Sequence, residues 1–199
     1  MKPALPSLFL LSVLLAGCAT SEGPTAARSS VTPVGHVEQQ IRARVGALQT
    51  QQGAQLLTSL ETLIKCGALA RKPVIEGLNA SDPRVRASLV YVLGFIGGPE
   101  GAVAVSERLQ DTDAGVRYEA AAALLQLGDV SGLPVLIQLL EDSDARVRYK
   151  SIEALVGVAG QNFGYEFKAS PAERAPAVQR IRSWWQERST ARVTAGQNP

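Results

Sequence analysis

Few side chains in this chain have the chemistry of a catalytic or metal-binding group. The only histidine is His36, and the two cysteines, Cys18 and Cys66, are 48 residues apart. An active site needs a positioned acid, base, nucleophile or metal ion, and the sequence has no glycine-rich phosphate loop, C-x-x-C motif or G-x-S-x-G motif. Cys66 ends an apolar stretch, which favours a buried, inert thiol. We therefore predict no catalytic residue, no metal and no cofactor.

The charged residues that recur do so in a regular pattern. The turn segment Ser-Asp-Pro-Arg-Val-Arg at 81–86 has related copies at 112–117 and 143–148, so the period is 31 residues. Each copy carries an aspartate and, four residues later, an arginine, which we call the repeat aspartates and the repeat arginines; they are Asp82 and Arg86, Asp113 and Arg117, and Asp144 and Arg148. A period of this size is typical of a stacked repeat array.

The elements that would position these residues are helix pairs. Apolar spacing, terminal glycines and aspartate N-caps predict two antiparallel helices in each repeat; these helices cover 69–79 and 83–96, 100–110 and 114–127, and 133–141 and 145–158. The repeats themselves are predicted at 67–98, 99–129 and 130–160. A degenerate first repeat, which lacks the aspartate and arginine, is predicted at 37–66, because one face of a terminal repeat has no neighbour.

The D-x-x-V-R motif, followed by an alanine- and leucine-rich run that ends in glycine, resembles the HEAT repeats. The 31-residue period is similar to that of the phycobilin-lyase type of HEAT-like repeat. The resemblance covers about 54–160 and implies an all-α fold, an α-solenoid of antiparallel helix pairs. It also implies a structural ladder in which the repeat aspartates accept from the repeat arginines. In the alternative, each aspartate caps its helix and pairs with its own arginine four residues on, which is worth a few tenths of a kcal/mol.

The start of the chain has the pattern of an export signal. A positive charge precedes an apolar run at 8–15, which is too short for a comfortable membrane span. The run ends in Leu-Ala-Gly-Cys at 15–18, which resembles the lipobox of bacterial lipoproteins. The resemblance implies removal of a signal peptide at 1–17, lipid on Cys18 and, because Ala19 is not aspartate, sorting to the outer membrane. A plain signal peptide followed by a chance cysteine is the alternative.

Two stretches are predicted to lie outside the folded body. Residues 18–36 are small, polar and punctuated by proline and glycine, so they have almost nothing to bury. This composition predicts a flexible tether between the lipidated cysteine and the repeats. Residues 190–199 are predicted to be a disordered tail.

The repeat pattern stops before the C-terminal segment. A Phe-Gly-Tyr sequence at 163–165 leads into an S-P-x-E motif at 170–173, the signature of a capping box at a helix start. The predicted helix carries Trp184 and Trp185, and the whole pattern is similar to the closing segment of many secreted bacterial HEAT-like proteins. The resemblance implies that 161–189 covers the last repeat, with the tryptophans capping the core. In the alternative, Trp184 is an exposed anchor for a partner.

The resemblance also implies that the second helix of each pair lines the concave side of the array. The residues there that face away from the core combine aromatic rings with charges; they are Tyr91, Phe95, Tyr118, Glu119, Tyr149, Lys150 and Glu153. This combination is typical of a protein-binding surface. In the alternative, the tyrosines merely cover the junctions between repeats.

Charge and composition narrow the class of partner. The formal net charge of +2 comes from 20 basic and 18 acidic residues, which is too balanced for a dedicated nucleic-acid binder. We predict a non-catalytic, membrane-anchored scaffold or adaptor of the bacterial cell envelope that faces the periplasm and binds a protein on its concave face. An enzyme or ligand-handling protein related to the phycobilin lyases is the second hypothesis.

Overall fold

The computed structural model describes residues 33–194 and Gly196. These residues form helices and turns and contain no strand, which confirms the all-α prediction for this part of the chain. The helices are α1 (Pro33–Ala47), α2 (Gly53–Cys66), α3 (Ala68–Gly77), α4 (Pro83–Ile96), α5 (Pro99–Glu107), α6 (Ala114–Gln126), α7 (Leu133–Leu139), α8 (Ala145–Ala159) and α9 (Pro171–Thr194). Single 3₁₀ turns at Arg108–Gln110 and Val130–Gly132 follow α5 and precede α7.

The N-terminal predictions lie outside the described residues. These predictions are the signal peptide at 1–17, the lipid on Cys18 and the tether as far as residue 32. Among the helices that the structure describes, none combines the length and the apolar content needed to cross a membrane.

Both ends of the helical body extend further than predicted. α1 begins at Pro33 rather than at residue 37, and proline suits the first turn of a helix because its missing N–H would have no intrahelical partner there. α9 continues to Thr194, so residues 190–194 are helical rather than part of a disordered tail. The reason is local, since neither glycine nor proline follows Pro176 until Gly196.

The helices stack as pairs in two layers. α3 packs on α4, α5 on α6, and α7 on α8, so each predicted full repeat is one helix pair. The second helices also pack on one another, α2 on α4, α4 on α6 and α6 on α8, and we call these four helices the second-helix layer. α1 packs on α3 in the other layer, and α9 packs on α7 at the C-terminal end. This is the arrangement of an α-solenoid with a closing helix.

Local signals determine where the helices begin and end. The repeat aspartates are the N-caps of α4, α6 and α8, and each carboxylate accepts a backbone N–H from two or three residues later, at 2.8, 3.0 and 2.8 Å. These bonds satisfy donors that no intrahelical carbonyl can reach. The helices α4 and α8 are followed by Gly97 and Gly160, whose φ angles of 64° and 75° are accessible to glycine without strain. The predicted caps at Asp82 and Asp144 are confirmed.

The interior consists of two clusters of buried apolar side chains. The first extends from Ile41 in α1 to Leu124 in α6, and the second from Ala121 in α6 to Ile181 in α9. Leu57 and Val158 follow the helical spacing of the apolar residues of α2 and α8, which predicts that both are buried, but they are 62% and 40% exposed. Helical spacing identifies an apolar stripe, but it does not say which neighbour covers each position.

Candidate protein-binding face

The repeat arginines make the same backbone contacts in every full repeat. The Nη1 group of each donates to the carbonyls six and five residues earlier, in the turn between the two helices, at 2.7 to 3.1 Å. The acceptors are Ala80 and Ser81 for Arg86, Asp111 and Thr112 for Arg117, and Asp142 and Ser143 for Arg148. Hydrogen bonds from a charged donor are stronger than neutral ones, so these arginines brace the turns of the repeats.

The predicted ladder between repeat aspartates and repeat arginines is wrong. Within residues 33–194, no side-chain hydrogen bond or ion pair joins the carboxylate of a repeat aspartate to a repeat arginine; the bond between them is the helical backbone bond, in which the arginine N–H donates to the aspartate carbonyl four residues earlier. The local alternative is right about the caps but wrong about the pairs at i+4, because Asp82 pairs with Arg84 at 3.2 Å and Asp144 with Arg146 at 2.9 Å. The carboxylates turn towards the helix N-termini, where unpaired N–H groups and the helix dipole attract them. The repeat arginines therefore bind carbonyls instead.

A largely buried ion pair between Arg86 and Asp111 links two successive repeats. Arg86 in α4 binds the carboxylate of Asp111 through two bonds, Nε to Oδ2 at 2.8 Å and Nη2 to Oδ1 at 2.7 Å. Only 12% of the Arg86 side chain and 5% of the Asp111 side chain are exposed. The bonds from Arg86 hold the pKa of the Asp111 carboxyl below its usual value. The pKa of Arg86 is raised by the same bonds, and the charges of Asp113 and Asp82 raise it further.

Sequence reasoning missed Asp111. It lies 31 residues before Asp142, and both carboxylates accept a backbone N–H from two residues later, at 2.9 and 2.8 Å. The corresponding residue of the preceding repeat is Ala80. The shared register of Asp111 and Asp142 could have drawn attention to this position of the repeat. It does not show which carboxylate forms an ion pair: in the described part of the chain the Asp111 carboxylate pairs with an arginine and the Asp142 carboxylate does not.

The predicted aromatic residues of the second-helix layer fall into two groups. Tyr91, Phe95 and Tyr149 are 42%, 48% and 45% exposed, and the rings of Tyr91 and Phe95 contact each other with centroids 4.9 Å apart. Tyr118 is half-buried beneath Lys150, whose Nζ lies 5.0 Å from the ring centroid. Burial raises the pKa of Tyr118. Tyr118 therefore covers the junction between α6 and α8, whereas the other three rings present exposed surface.

Charged residues lie on the C-terminal part of the same layer. The Nζ of Lys150 is 3.3 Å from Oε1 of Glu119, which links α8 to α6, and the side chain of Glu153 is exposed. The ring of Tyr149 packs on Phe167, from the segment after α8, with centroids 5.0 Å apart. The layer is thus aromatic on α4 and mixed aromatic and charged on α6 and α8.

Leu57 is a further surface residue that sequence reasoning missed. It precedes Ser88, Glu119 and Lys150 by one, two and three periods of 31 residues, a position that is half-buried in the next two repeats and exposed in the last. The repeat register therefore gives no clear signal of exposure, and the apolar spacing of α2 favours burial. Leu57 lies on α2, next to the helix that carries Tyr91 and Phe95. We call these three residues the apolar group.

The closing segment ends the repeat array with specific hydrogen bonds. Arg148 donates from Nε to the carbonyl of Phe167 at 2.8 Å, and the hydroxyl of Tyr165 donates to the carbonyl of Leu140. The predicted capping box is confirmed, because Glu173 accepts from the backbone N–H of Ser170 at 2.8 Å while the Ser170 hydroxyl accepts from the N–H of Glu173. These bonds attach the segment to the last repeat.

The two tryptophans occupy different positions at this end. Trp185 packs against the second core cluster. The ring of Trp184 lies on Phe163, with centroids 5.6 Å apart, and beneath the guanidinium of Arg188 at 5.3 Å. Trp185 thus contributes to the end of the core, while Trp184 lies further out on α9.

The remaining residues with potential chemistry are dispersed. The part of the chain that the structure describes has no group of three or more His, Cys, Asp or Glu side chains placed to hold a metal ion. Cys66 is half-buried at the end of α2 rather than fully buried. His36 and Gln40, one turn apart in α1, share a hydrogen bond of 3.0 Å. The most distinctive feature of the described residues is therefore the exposed surface of the second-helix layer.

The stacked helix pairs and the exposed second-helix layer define an α-solenoid repeat protein. Residues 70–157, from α3 to α8, match the family model of the HEAT repeats. This match supports the predicted HEAT-like repeats and does not distinguish the phycobilin-lyase type. No curated protein matches the chain. HEAT repeats generally serve as protein-interaction scaffolds and are typically non-catalytic.

Proposed function

We propose that this protein is a non-catalytic scaffold that binds a partner protein on its second-helix layer. The general role of HEAT repeats supports this proposal. The observation that carries it is the exposure of the apolar group, Leu57, Tyr91 and Phe95, on two adjacent helices. Single exposed apolar residues are common on protein surfaces. Two exposed aromatic rings in mutual contact, on a helix that packs against one with an exposed leucine, are less common, and tyrosine is enriched in binding hot spots.

The apolar group would provide area for burial at a low entropic cost. Tyr91 and Phe95 hold each other in place, with ring centroids 4.9 Å apart. Each of these side chains has only two rotatable bonds, so little conformational freedom remains to be lost on binding. Burying apolar surface contributes about 25 cal/mol per Å². An apolar side chain of the partner that contacts both rings would therefore serve as an anchor.

The polar part of the layer would orient the partner. A partner that lies across the layer meets apolar surface on α2 and α4 and the charges of Glu119, Lys150 and Glu153 on α6 and α8. Charges at the rim of an interface contribute less to affinity than buried anchors, but they direct association and fix the orientation. The proposed partner surface is therefore apolar at one end and charged at the other.

Capture of the partner from native membranes tests this proposal. The parent protein is crosslinked and recovered beside a Tyr91→Ala, Phe95→Ala variant. The matched control is Leu69→Ala, Val103→Ala, because these two apolar residues are even more exposed than the two rings but lie on α3 and α5, outside the second-helix layer. We expect a partner that the control retains and the ring variant loses by at least about tenfold, which corresponds to about 1.4 kcal/mol. Retention by the ring variant would contradict the proposal.

We also propose that the scaffold is anchored by lipid on Cys18 to the outer membrane and faces the periplasm. The Leu-Ala-Gly-Cys sequence at 15–18, directly after an apolar run, supports this. Two or three acyl chains anchor a protein stably where one does not. Anchoring would confine the scaffold to the surface and raise its effective concentration towards a partner there.

Metabolic labelling tests the anchor separately from the binding face. We expect the parent protein to incorporate labelled palmitate and to sediment with outer membranes. Cys18→Ser should abolish the labelling, and Cys66→Ser should leave it unchanged. Equal labelling of the parent and the Cys18→Ser variant would rule out the lipid anchor and leave the binding face untouched.

A further inference from the structure

A cleft at the C-terminal end of the array lies apart from the apolar group. It forms where the C-terminal part of α9 passes the start of α7 and the end of α8, and its volume is about 380 Å³. Its walls include Val158, Trp184, Trp185, Arg188 and Arg192, none of which belongs to the proposed binding face. Sites of 300–1,000 Å³ that combine an apolar lining with a few polar groups are typical of ligand binding.

Val158 supplies apolar surface that the array leaves uncovered. It lies one and two periods after Leu127 and Ile96, which are half-buried between repeats. In the described residues no further helix pair stacks on α8, and α9 covers Val158 only in part. Together with the half-buried rings of Trp184 and Trp185, it supplies the apolar lining of the cleft.

The charge at the cleft is positive. Arg188 and Arg192 line it, and none of the lining residues is acidic. The guanidinium of Arg188 lies 5.3 Å from the ring centroid of Trp184, a cation–π contact that holds the charge beside the apolar wall. Arg182 on the same helix pairs with Glu141, whereas no carboxylate in the described part of the chain pairs with Arg188. A guanidinium placed in this way is complementary to a carboxylate, which it can bind through two parallel bonds.

We propose that this cleft binds an acidic peptide segment of a partner protein. A glutamate or aspartate carboxylate pairs with Arg188, Arg192 adds positive potential, and a neighbouring apolar side chain of the peptide lies between Trp184 and Val158. A peptide matches the cleft because consecutive residues can present a carboxylate and an apolar group a few ångströms apart. This contact is a second site, independent of the second-helix layer.

Intrinsic fluorescence reports on this cleft directly, because Trp184 and Trp185 are the only two tryptophans of the chain and both line it. The full-length protein is titrated with the peptide acetyl-Gly-Leu-Glu-Leu-Gly-amide. We expect a saturable change in tryptophan emission that weakens as salt is added. The same peptide with glutamine in place of glutamate should bind about tenfold more weakly, since it loses the charge-assisted bonds.

Variants assign the effect to the cleft. Arg188→Gln should weaken peptide binding about tenfold. Arg188→Lys keeps the charge but not the planar guanidinium, and it should weaken binding about threefold. If the glutamine variant does not fold, the lysine variant tests the role of Arg188. The matched control is Arg146→Gln, which removes the same charge from a nearly fully exposed side chain at the start of α8. We expect this control and the Tyr91→Ala, Phe95→Ala variant to bind the peptide like the parent.

Three results of the peptide titrations would overturn the acidic-peptide site. They are the absence of a saturable emission change, equal affinity for the glutamate and glutamine peptides, and equal affinity of the parent and both Arg188 variants. An emission change with phosphatidylglycerol vesicles but not with the peptide would likewise overturn it, and would assign the cleft to an anionic lipid surface. Each of these results leaves the binding proposed for the second-helix layer standing.

Discussion

The two junctions between second helices of full repeats are built differently, although both come from the same 31-residue pattern. Between α4 and α6, Gly94 faces Ala123 so closely that a Cβ on residue 94 would lie 3.0 Å from the Ala123 Cβ. Between α6 and α8, the residue in register with Gly94 is Leu125, whose larger side chain packs against the second core cluster. The first junction is therefore closer than the second.

The junctions also differ in their charged contacts. Arg86 and Asp111 cross the first as a largely buried, two-bond pair, a geometry that is both strong and specific. The link across the second is the more exposed pair of Lys150 and Glu119, and exposed pairs contribute little to stability. The repeat pattern thus determines which positions face a junction. The residue type at each position determines how closely the two helices pack and how much their contacts contribute to stability.

Filling the close junction should have the largest effect. We expect Gly94→Leu, which places the residue of the second junction in the first, to lower the free energy of unfolding by about 3 kcal/mol or more, because the added atoms would overlap Ala123. Urea unfolding measures this. Gly157→Ala in α8 is the control, since a Cβ there meets no atom within 4 Å, and alanine should stabilise that helix by up to about 1 kcal/mol. A tolerated Gly94→Leu would mean that the junctions are equivalent.

Replacing the repeat arginines should have the second-largest effect and should destabilise the first junction more than the second. We expect Arg86→Ala to cost about 2–4 kcal/mol, because it leaves the Asp111 carboxylate buried without its partner. Arg117→Ala should cost about 1 kcal/mol, since it loses only the bonds to two carbonyls. Arg146→Ala, at an exposed side chain, should change little. Thermal and urea unfolding rank the three, and equal losses for Arg86→Ala and Arg117→Ala would contradict the comparison.

The pH dependence of the free energy of unfolding should also show that the first junction depends on its ion pair. The pKa of Asp111 is lowered in the folded protein, so its contribution is fully present above the ordinary aspartate pKa of about 3.9 and is lost as the pH falls through the lower, folded value. Asp111→Asn should cost about 2 kcal/mol at pH 7, and its difference from the parent should shrink on acidification.

Asp142→Asn is the control for this pH measurement. The Asp142 carboxylate accepts the same type of backbone bond as that of Asp111, at 2.8 Å, but within residues 33–194 it forms no ion pair with an arginine. The difference between the two variants therefore isolates the contribution of Arg86. A constant difference between parent and Asp111→Asn from pH 7 to pH 2 would show that the ion pair contributes nothing.

Neutralising the second junction should have the smallest effect. We expect Glu119→Gln to change the free energy of unfolding by less than about 0.5 kcal/mol, because Lys150 is largely exposed and its pair with Glu119 is screened. Urea unfolding at low and high salt measures this, and the small difference should vanish at high salt. A loss comparable to that of Asp111→Asn would show that both junctions depend on ion pairs.

The helix pairs and their caps could be predicted because they depend on nearest neighbours in the chain. The caps at Asp82 and Asp144 and the capping box at Ser170 and Glu173 are formed as the sequence indicates. The charged contacts could not be predicted in the same way. An arginine side chain is long enough to reach several acceptors, and the choice of Asp111 by Arg86 depends on where α5 places that carboxylate. The start of α1 at Pro33 and the end of α9 at Thr194 were not predicted, because the outermost turns of the first and last helices depend on small differences in helix propensity.

The sequence by itself determined the helical class, the 31-residue periodicity, the capped starts of α4, α6 and α8 and the absence of recognisable catalytic motifs, since each of these follows from residue types at short and regular spacing. The tertiary structure alone decided which apolar residues are covered. Leu57 and Val158 occupy apolar positions of their helices but remain exposed, because burial depends on the neighbouring helix rather than on the helix that carries the residue. For the same physical reason, the place of Leu57 in the apolar group and the cleft beside Trp184 become visible only when the helices are stacked.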